Sequence, residues 1–152
     1  MNTSLIFFHI KSIYYGKKIN KLLFQVIFVR LLFVCVGNSC RSQMAEAIAN
    51  ELGHYARSAG TKPSEMVSNK ARLVLDELGI TTSNLYPKGI DEIDSNDFDI
   101  IISMGCGVEC PNLPIHIDWG LDDPDGKDLD FFRDTRDKIV RLISELPNQT
   151  DA

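Results

Sequence analysis

Residues Leu31-Leu32-Phe33-Val34-Cys35 make a short apolar run of strand character that ends in a thiol. Val36-Gly37-Asn38-Ser39-Cys40 then turns the chain into Arg41-Ser42, where an amphipathic segment opens. Strand, tight loop and helix start therefore follow one another within a dozen residues, and few folds accommodate that order except a layered α/β one. The loop meets the helix where backbone N–H groups are unpaired and the helix dipole is positive, which makes it an anion site. A thiol held there is favoured as thiolate, and an arginine nearby favours it further. The spacing Cys-x5-Arg lets one loop wrap a single tetrahedral oxyanion, with Cys35 beneath it and the planar fork of Arg41 at its side. The candidate binding residues are Val36, Gly37, Asn38, Ser39, Cys40, Arg41 and Ser42.

The rest of the chain is consistent with one such domain. With 152 residues and 44% hydrophobic residues there is material for one domain with a real core. A formal net charge of −5 argues against nucleic acid or an anionic membrane as partner, so an anion site has to be built locally. The four cysteines do not have the spacing of a secreted disulfide framework, which places the chain in a reducing cytoplasm.

Met44, Ala45, Ile48, Ala49 and Leu52 recur at helical spacing, and Gly53 sits where a left-handed cap belongs. Residues 55–60 read as a second strand and 68–78 as a second helix closed by Gly79. A short helix is expected over about 89–95. Phe98-Asp99-Ile100-Ile101-Ile102-Ser103-Met104 is a central parallel strand, Ile115-His116-Ile117 a short fourth one, and 128–146 a long helix stopped by Pro147. The alternation predicts an α/β, doubly wound, flavodoxin-like fold: a single domain on a four-stranded parallel sheet of order 2-1-3-4. Ligands of such sheets bind where the winding reverses, here between strands one and three. Cys35 follows the first of these, and the loop from Met104 to Pro111, with Cys106 and Cys110, follows the other.

The stretch Val34-Cys35-Val36-Gly37-Asn38-Ser39-Cys40-Arg41-Ser42-Gln43-Met44-Ala45-Glu46 resembles the low-molecular-weight tyrosine phosphatase superfamily and, within it, the thioredoxin-coupled arsenate reductases. Related phosphatases carry Ile and then Cys-Arg-Ser-Pro here, whereas Ser39 and Gln43-Met44 match the reductase version. The resemblance extends over about residues 30–147. It divides the chain into an atypical extension at 1–28, the arsenate reductase or phosphatase-like domain at 29–148, and a tail at 149–152. Family members begin just before the equivalent of Leu31, so the extension is read as a start assigned too far upstream, with membrane or partner binding as the alternative. The apolar run from Leu22 to Val36 is interrupted by Gln25 and Arg30 and is shorter than the ~18 residues of a membrane span.

The resemblance implies a monomeric arsenate reductase that works by a thiol cascade. In it Cys35 attacks arsenate held by the loop and Arg41, Cys106 displaces arsenite from Cys35, and Cys110 resolves the resulting disulfide. The same resemblance selects Asp123, in Trp119-Gly120-Leu121-Asp122-Asp123-Pro124, as the general acid. It gives Ser42 the task of supporting the Cys35 thiolate and Asn38 that of locking the loop through Glu46 or Ser58. Lys88 stands where relatives that bind potassium carry an aspartate, so no metal and no tightly bound cofactor are expected. The external reductant is thioredoxin or, since only three residues separate Cys106 from Cys110, a low-molecular-weight thiol.

Other readings compete with each of these roles. Cys106 and Cys110 also fit inert thiols or half of a zinc site. Cys40 fits simple packing or a protective disulfide with Cys35, and Asp123 fits a turn aspartate. His9, His54 and His116 have no motif around them and are read as structural or solvated. Two other functions remain open: a low-molecular-weight protein tyrosine phosphatase, which needs only Cys35, Arg41 and Asp123, and a non-enzymatic thiol module binding arsenite or zinc.

Overall fold

The fold comes from a computed structural model, which describes residues 29–105 and 113–146. Residues 1–28, the loop segment 106–112 with Cys106 and Cys110, and the end of the chain from Pro147 lie outside the described residues. Strand β1 (Arg30–Cys35) is buried from its second residue on, as its uninterrupted apolar sequence requires of a strand covered on both faces. Helix α1 (Arg41–Glu51) follows, then β2 (Tyr55–Gly60), α2 (Asn69–Asp76), β3 (Ile100–Ser103), β4 (Ile117–Asp118) and α3 (Leu129–Ser144). All neighbouring strands pair in parallel and the order is β2-β1-β3-β4, as the alternation of elements predicts.

The two faces of the sheet are covered differently. Leu31 and Phe33 point to the side where α1, α2 and α3 pack, meeting Met44, Ile48, Leu75, Phe132 and Ile139. Leu32 and Val34 point to the other side with Ala59 and Ile101, under Ile90, Ile93, Phe98, Leu113 and Ile115. The helices start where their side chains can hold them: Ser68 caps α2 through Ala71 N, and Asp128 caps α3 through Phe131 N. Gly53 and Gly79 have the positive φ expected of residues that end a helix.

Two expectations need correction. The helix expected at 89–95 is instead two 3-10 turns, Ile90–Glu92 and Ser95–Asp97, with Ile93 extended between them. Glu92 Oε1 accepts from Gly89 N and Asp94 Oδ1 from Asn96 N, so acidic side chains hold backbone donors in local turns and no α-helix propagates. Strand β4 begins at Ile117, later than Ile115. There His116 Nδ1 accepts the hydrogen bond of Ile101 N at 3.0 Å, so a side chain takes the place of a ladder carbonyl.

Candidate active site

The carboxyl ends of β1 and β3 lie side by side, with Val34 opposite Ser103 and Met104 N donating to Val34 O at 3.0 Å. Residues 36–40 leave β1 at this point and enter α1, whose N-cap, Cys40, makes no side-chain cap bond. The first-turn amides of α1 are thus left open beside the loop.

The loop carbonyls are all turned outward onto named donors. Cys35 O accepts from Thr61 N, Val36 O from Lys62 N, Gly37 O from Ser64 N and Ser39 O from Ser68 N, at 2.8–3.1 Å. Asn38 O accepts from Gln43 Nε2 at 3.0 Å, and Cys40 O from Met44 N. Because the carbonyls are bonded elsewhere, the loop's N–H groups, apart from Asn38 N, which donates to Cys35 Sγ, are left to meet an oxyanion. The gripping segment, residues 61–68, follows Gly60, where an added Cβ would stand 2.5 Å from Val36 O. Sequence reasoning missed this segment, because backbone donors carry no side-chain signature; Pro63 and two serines were the only hints.

Cys35 is 4% exposed, and its sulfur accepts from Asn38 N at 3.1 Å and lies 2.8 Å from Ser42 Oγ. The proton on Ser42 is directed by what lies behind it. Asn38 Nδ2 donates to Ser42 Oγ and to Ser58 Oγ, both at 2.9 Å, so the Ser42 hydroxyl is left to donate to the sulfur. Asn38 Oδ1 in turn accepts from Gln43 Nε2 at 3.0 Å and from Lys88 N at 2.7 Å. Asn38 holds this arrangement from a left-handed backbone, φ 49°, that asparagine tolerates better than most side chains. Ser58 donates to Glu46 Oε2, which also accepts from Lys88 Nζ at 3.0 Å. The Lys88 ammonium also donates to Tyr86 O and lies 4.5 Å from the Tyr86 ring centroid. Asn38 thus bonds Ser58 directly and reaches Glu46 only through it, and the Lys88 ammonium sits among the oxygens of this buried cluster.

Arg41 is 4% exposed and bridges to the other side of the crevice. Its Nη1 donates to Leu121 O at 2.6 Å, and its Nη2 lies 3.4 Å from Asp123 Oδ2. Asp123 is half exposed, and its other oxygen accepts from Asp125 N at 3.1 Å. The carboxylate therefore holds a turn with one oxygen, as the turn reading of Asp-Pro expects, and faces the arginine with the other. Cys40 is buried, and burial pushes its thiol up, away from ready ionisation. Trp119 packs on Phe33 with ring centroids 5.4 Å apart. Among the described residues no group of three or more His, Cys, Asp or Glu side chains is placed to hold a metal ion. No helix among them is long and apolar enough to cross a membrane.

The family model of the low molecular weight phosphotyrosine protein phosphatases matches residues 30–151. The chain belongs to this family. Among curated relatives of this phosphatase-family chain, a glutaredoxin arsenate reductase of Synechocystis sp. is 37% identical over 124 residues, covering 77% of this chain and 95% of the relative. An arsenate reductase of Staphylococcus aureus is 37% identical over 127 residues, covering 78% and 96%. Among solved structures, an arsenate reductase in the phosphate binding state superposes with TM-score 0.73 at 37% identity, covering 78% of this chain and 96% of that one. An arginine phosphatase from Geobacillus stearothermophilus reaches TM-score 0.67 at 27% identity, with 78% and 90% covered. The family fold thus serves both reductase and phosphatase chemistry, and the phosphatase-family loop here is common ground for the two.

Proposed function

We propose that this chain is an arsenate reductase that uses Cys35, Cys106 and Cys110 in sequence. The observation that carries the reading is the thiol of Cys35 held by Asn38 N and Ser42 beside Arg41, at the switch point of the sheet. The names of the relatives support reduction over hydrolysis, as do the two further thiols one and five residues beyond Gly105.

Cys35 thiolate attacks arsenic(V) and forms an S–As bond, while an oxygen departs as water with a proton from Asp123. Cys106 thiolate then attacks Cys35 sulfur. A disulfide forms, and the S–As bonding pair passes to arsenic, which leaves as arsenite, arsenic(III). Cys110 thiolate displaces Cys35 from that disulfide, and an external thiol reduces the Cys106–Cys110 pair. Only the last step needs a co-reactant, a dithiol of the thioredoxin type or glutathione with a glutaredoxin. The glutaredoxin-coupled relative and the three-residue spacing of Cys106 and Cys110 favour the second. Such a relay belongs in a reducing compartment, the cytoplasm.

The test is arsenate-dependent NADPH consumption, coupled either to thioredoxin and its reductase or to glutaredoxin, glutathione and glutathione reductase. Wild type turns over in at least one system, Cys106→Ser and Cys110→Ser stop, and the Cys110 variant accumulates a Cys35–Cys106 disulfide seen by mass spectrometry. Aryl phosphate hydrolysis equal in all three proteins, without arsenate turnover, would identify a phosphatase instead.

A further inference from the structure

Arg41 is held in its orientation by neighbouring backbone. Nη1 donates to Leu121 O at 2.6 Å and lies 3.4 Å from Met104 O, while Nη2 faces Asp123. With Nη1 committed to two carbonyls, the planar group cannot rotate freely, and its Nε–Nη2 edge is what remains to grip two oxygens side by side. The two carbonyls come from different places: Met104 follows β3, and Leu121 follows β4. Leu121 N joins them by donating to Met104 O at 2.9 Å.

Gly105 lies inside this joint. Its φ is +107°, and a Cβ there would stand 2.9 Å from Leu121 N, 3.0 Å from Leu121 O and 3.1 Å from Gly120 C. These are backbone atoms, with no flexible end to swing aside. A side chain at 105 would push the Gly120-Leu121 peptide away and take from Arg41 the carbonyl that fixes Nη1.

We propose that Gly105 is a positioning residue for oxyanion binding: its missing side chain lets the loop after β4 close on the end of β3 and so orients Arg41. This rests on the oxyanion-site reading of the loop. It assigns Gly105 to the binding step, although Cys106, next in the chain, belongs to a later one.

The experiment is a double-mutant cycle read by inorganic phosphate affinity, from titration of the loop amide signals. Gly105→Ala raises the phosphate dissociation constant about ten-fold, the cost of losing one charged hydrogen bond, and raises KM for arsenate more than it lowers kcat. In an Arg41→Lys background the same change shifts the constant less than about two-fold, because no Nη1 remains to be held. Gly126→Ala introduces a Cβ at φ +74° with nothing within 4 Å, and leaves the affinity as it was. Unchanged phosphate affinity in Gly105→Ala with lowered turnover overturns the proposal, as does an equal loss in both backgrounds. A wild type that binds no phosphate sinks the oxyanion reading itself, a different result.

Should Gly105→Ala melt below the assay temperature, the wild type answers alone. Its Arg41 Nη1 and Nη2 signals are separate before phosphate is added, and Nη2 and Nε move on binding while Nη1 stays. A single averaged Nη signal in the free protein overturns the clamp.

Discussion

Two clusters of charged and polar side chains join elements of this fold, and they differ in their contact with water. Around the loop at 36–40, Asn38, Ser42, Gln43, Ser58 and Lys88 are 0–1% exposed, with Glu46 at 6%. Between α2 and α3, Arg133 bonds Glu77 and Asp130 while Arg136 bonds Glu77 and Asp137, and most of these groups are wet. Distances in the two clusters are similar, 2.6–3.0 Å for their ion pairs. Only the first determines where a reactive atom sits. In low dielectric an unmatched partner is costly, so each buried bond enforces the next; at the surface water replaces a lost partner.

Lys88→Met has the largest expected effect. Glu46 is then left buried without its cation, and unfolding by urea shows a loss of about 3–5 kcal/mol. The double variant Lys88→Met with Glu46→Gln regains part of this, because the stranded charge is gone; equal losses in the single and double variants would mean that the buried charge is not the reason. Asn38→Gly comes next. Glycine keeps the φ of 49° without strain, so the variant isolates the side chain, and unfolding stability drops by about 2–3 kcal/mol as Lys88 N and Ser58 lose their partner.

Ser42→Ala tests the end of the same chain. The fold tolerates it, but alkylation of Cys35 by iodoacetamide at pH 6 slows about ten-fold, since the thiolate loses one hydrogen bond. An unchanged alkylation rate would remove Ser42 from the thiolate's support. A group outside both clusters gives a smaller effect. Burial holds the His54 imidazole below its ordinary value, so between there and about pH 6.5 the unfolded chain binds the proton and the folded one does not. Stability on this account rises with pH through that window and is lost on acidification. Wild type therefore has a lower urea midpoint at pH 5.5 than at pH 7.5, and His54→Gln narrows that gap. Last is Arg133→Ala in the wet cluster, whose melting temperature moves by no more than about two degrees.

How far the sequence could be read follows the same division. The strand order came from apolar runs alternating with helical periodicity, because burial of β1 and β3 on both faces leaves its mark on every residue between Leu31 and Val34 and between Ile100 and Ile102. A helix was expected at about 89–95 because nothing in the identities of Glu92 and Asp94 says that their side chains will bond the nearby N–H groups of Gly89 and Asn96. The late start of β4 was hidden as well, since nothing local says that His116 serves Ile101, fifteen residues back.

At the site, Cys35 and Arg41 were legible from their spacing and the helix start. Asp123, Asn38 and Lys88 were reached through family resemblance, because the partners that give them meaning are far away in the chain: Lys88 is 42 residues from Glu46 and 50 from Asn38. The outward pull of residues 61–68 on the loop is made by backbone N–H groups, so residue identity left little trace of it beyond Pro63 and two serines.

That outward pull bears on selectivity. A bowl whose every outer carbonyl is already bonded cannot flex to measure its guest, and two tetrahedral oxyanions of nearly equal size and charge are the same object to it. On the oxyanion-site reading, phosphate and arsenate therefore compete for the loop by their concentrations. In the proposed reaction, discrimination falls to the step after capture, where arsenic can accept an electron pair from a sulfur–arsenic bond and phosphorus cannot. The protein chooses its substrate by what the substrate is able to become.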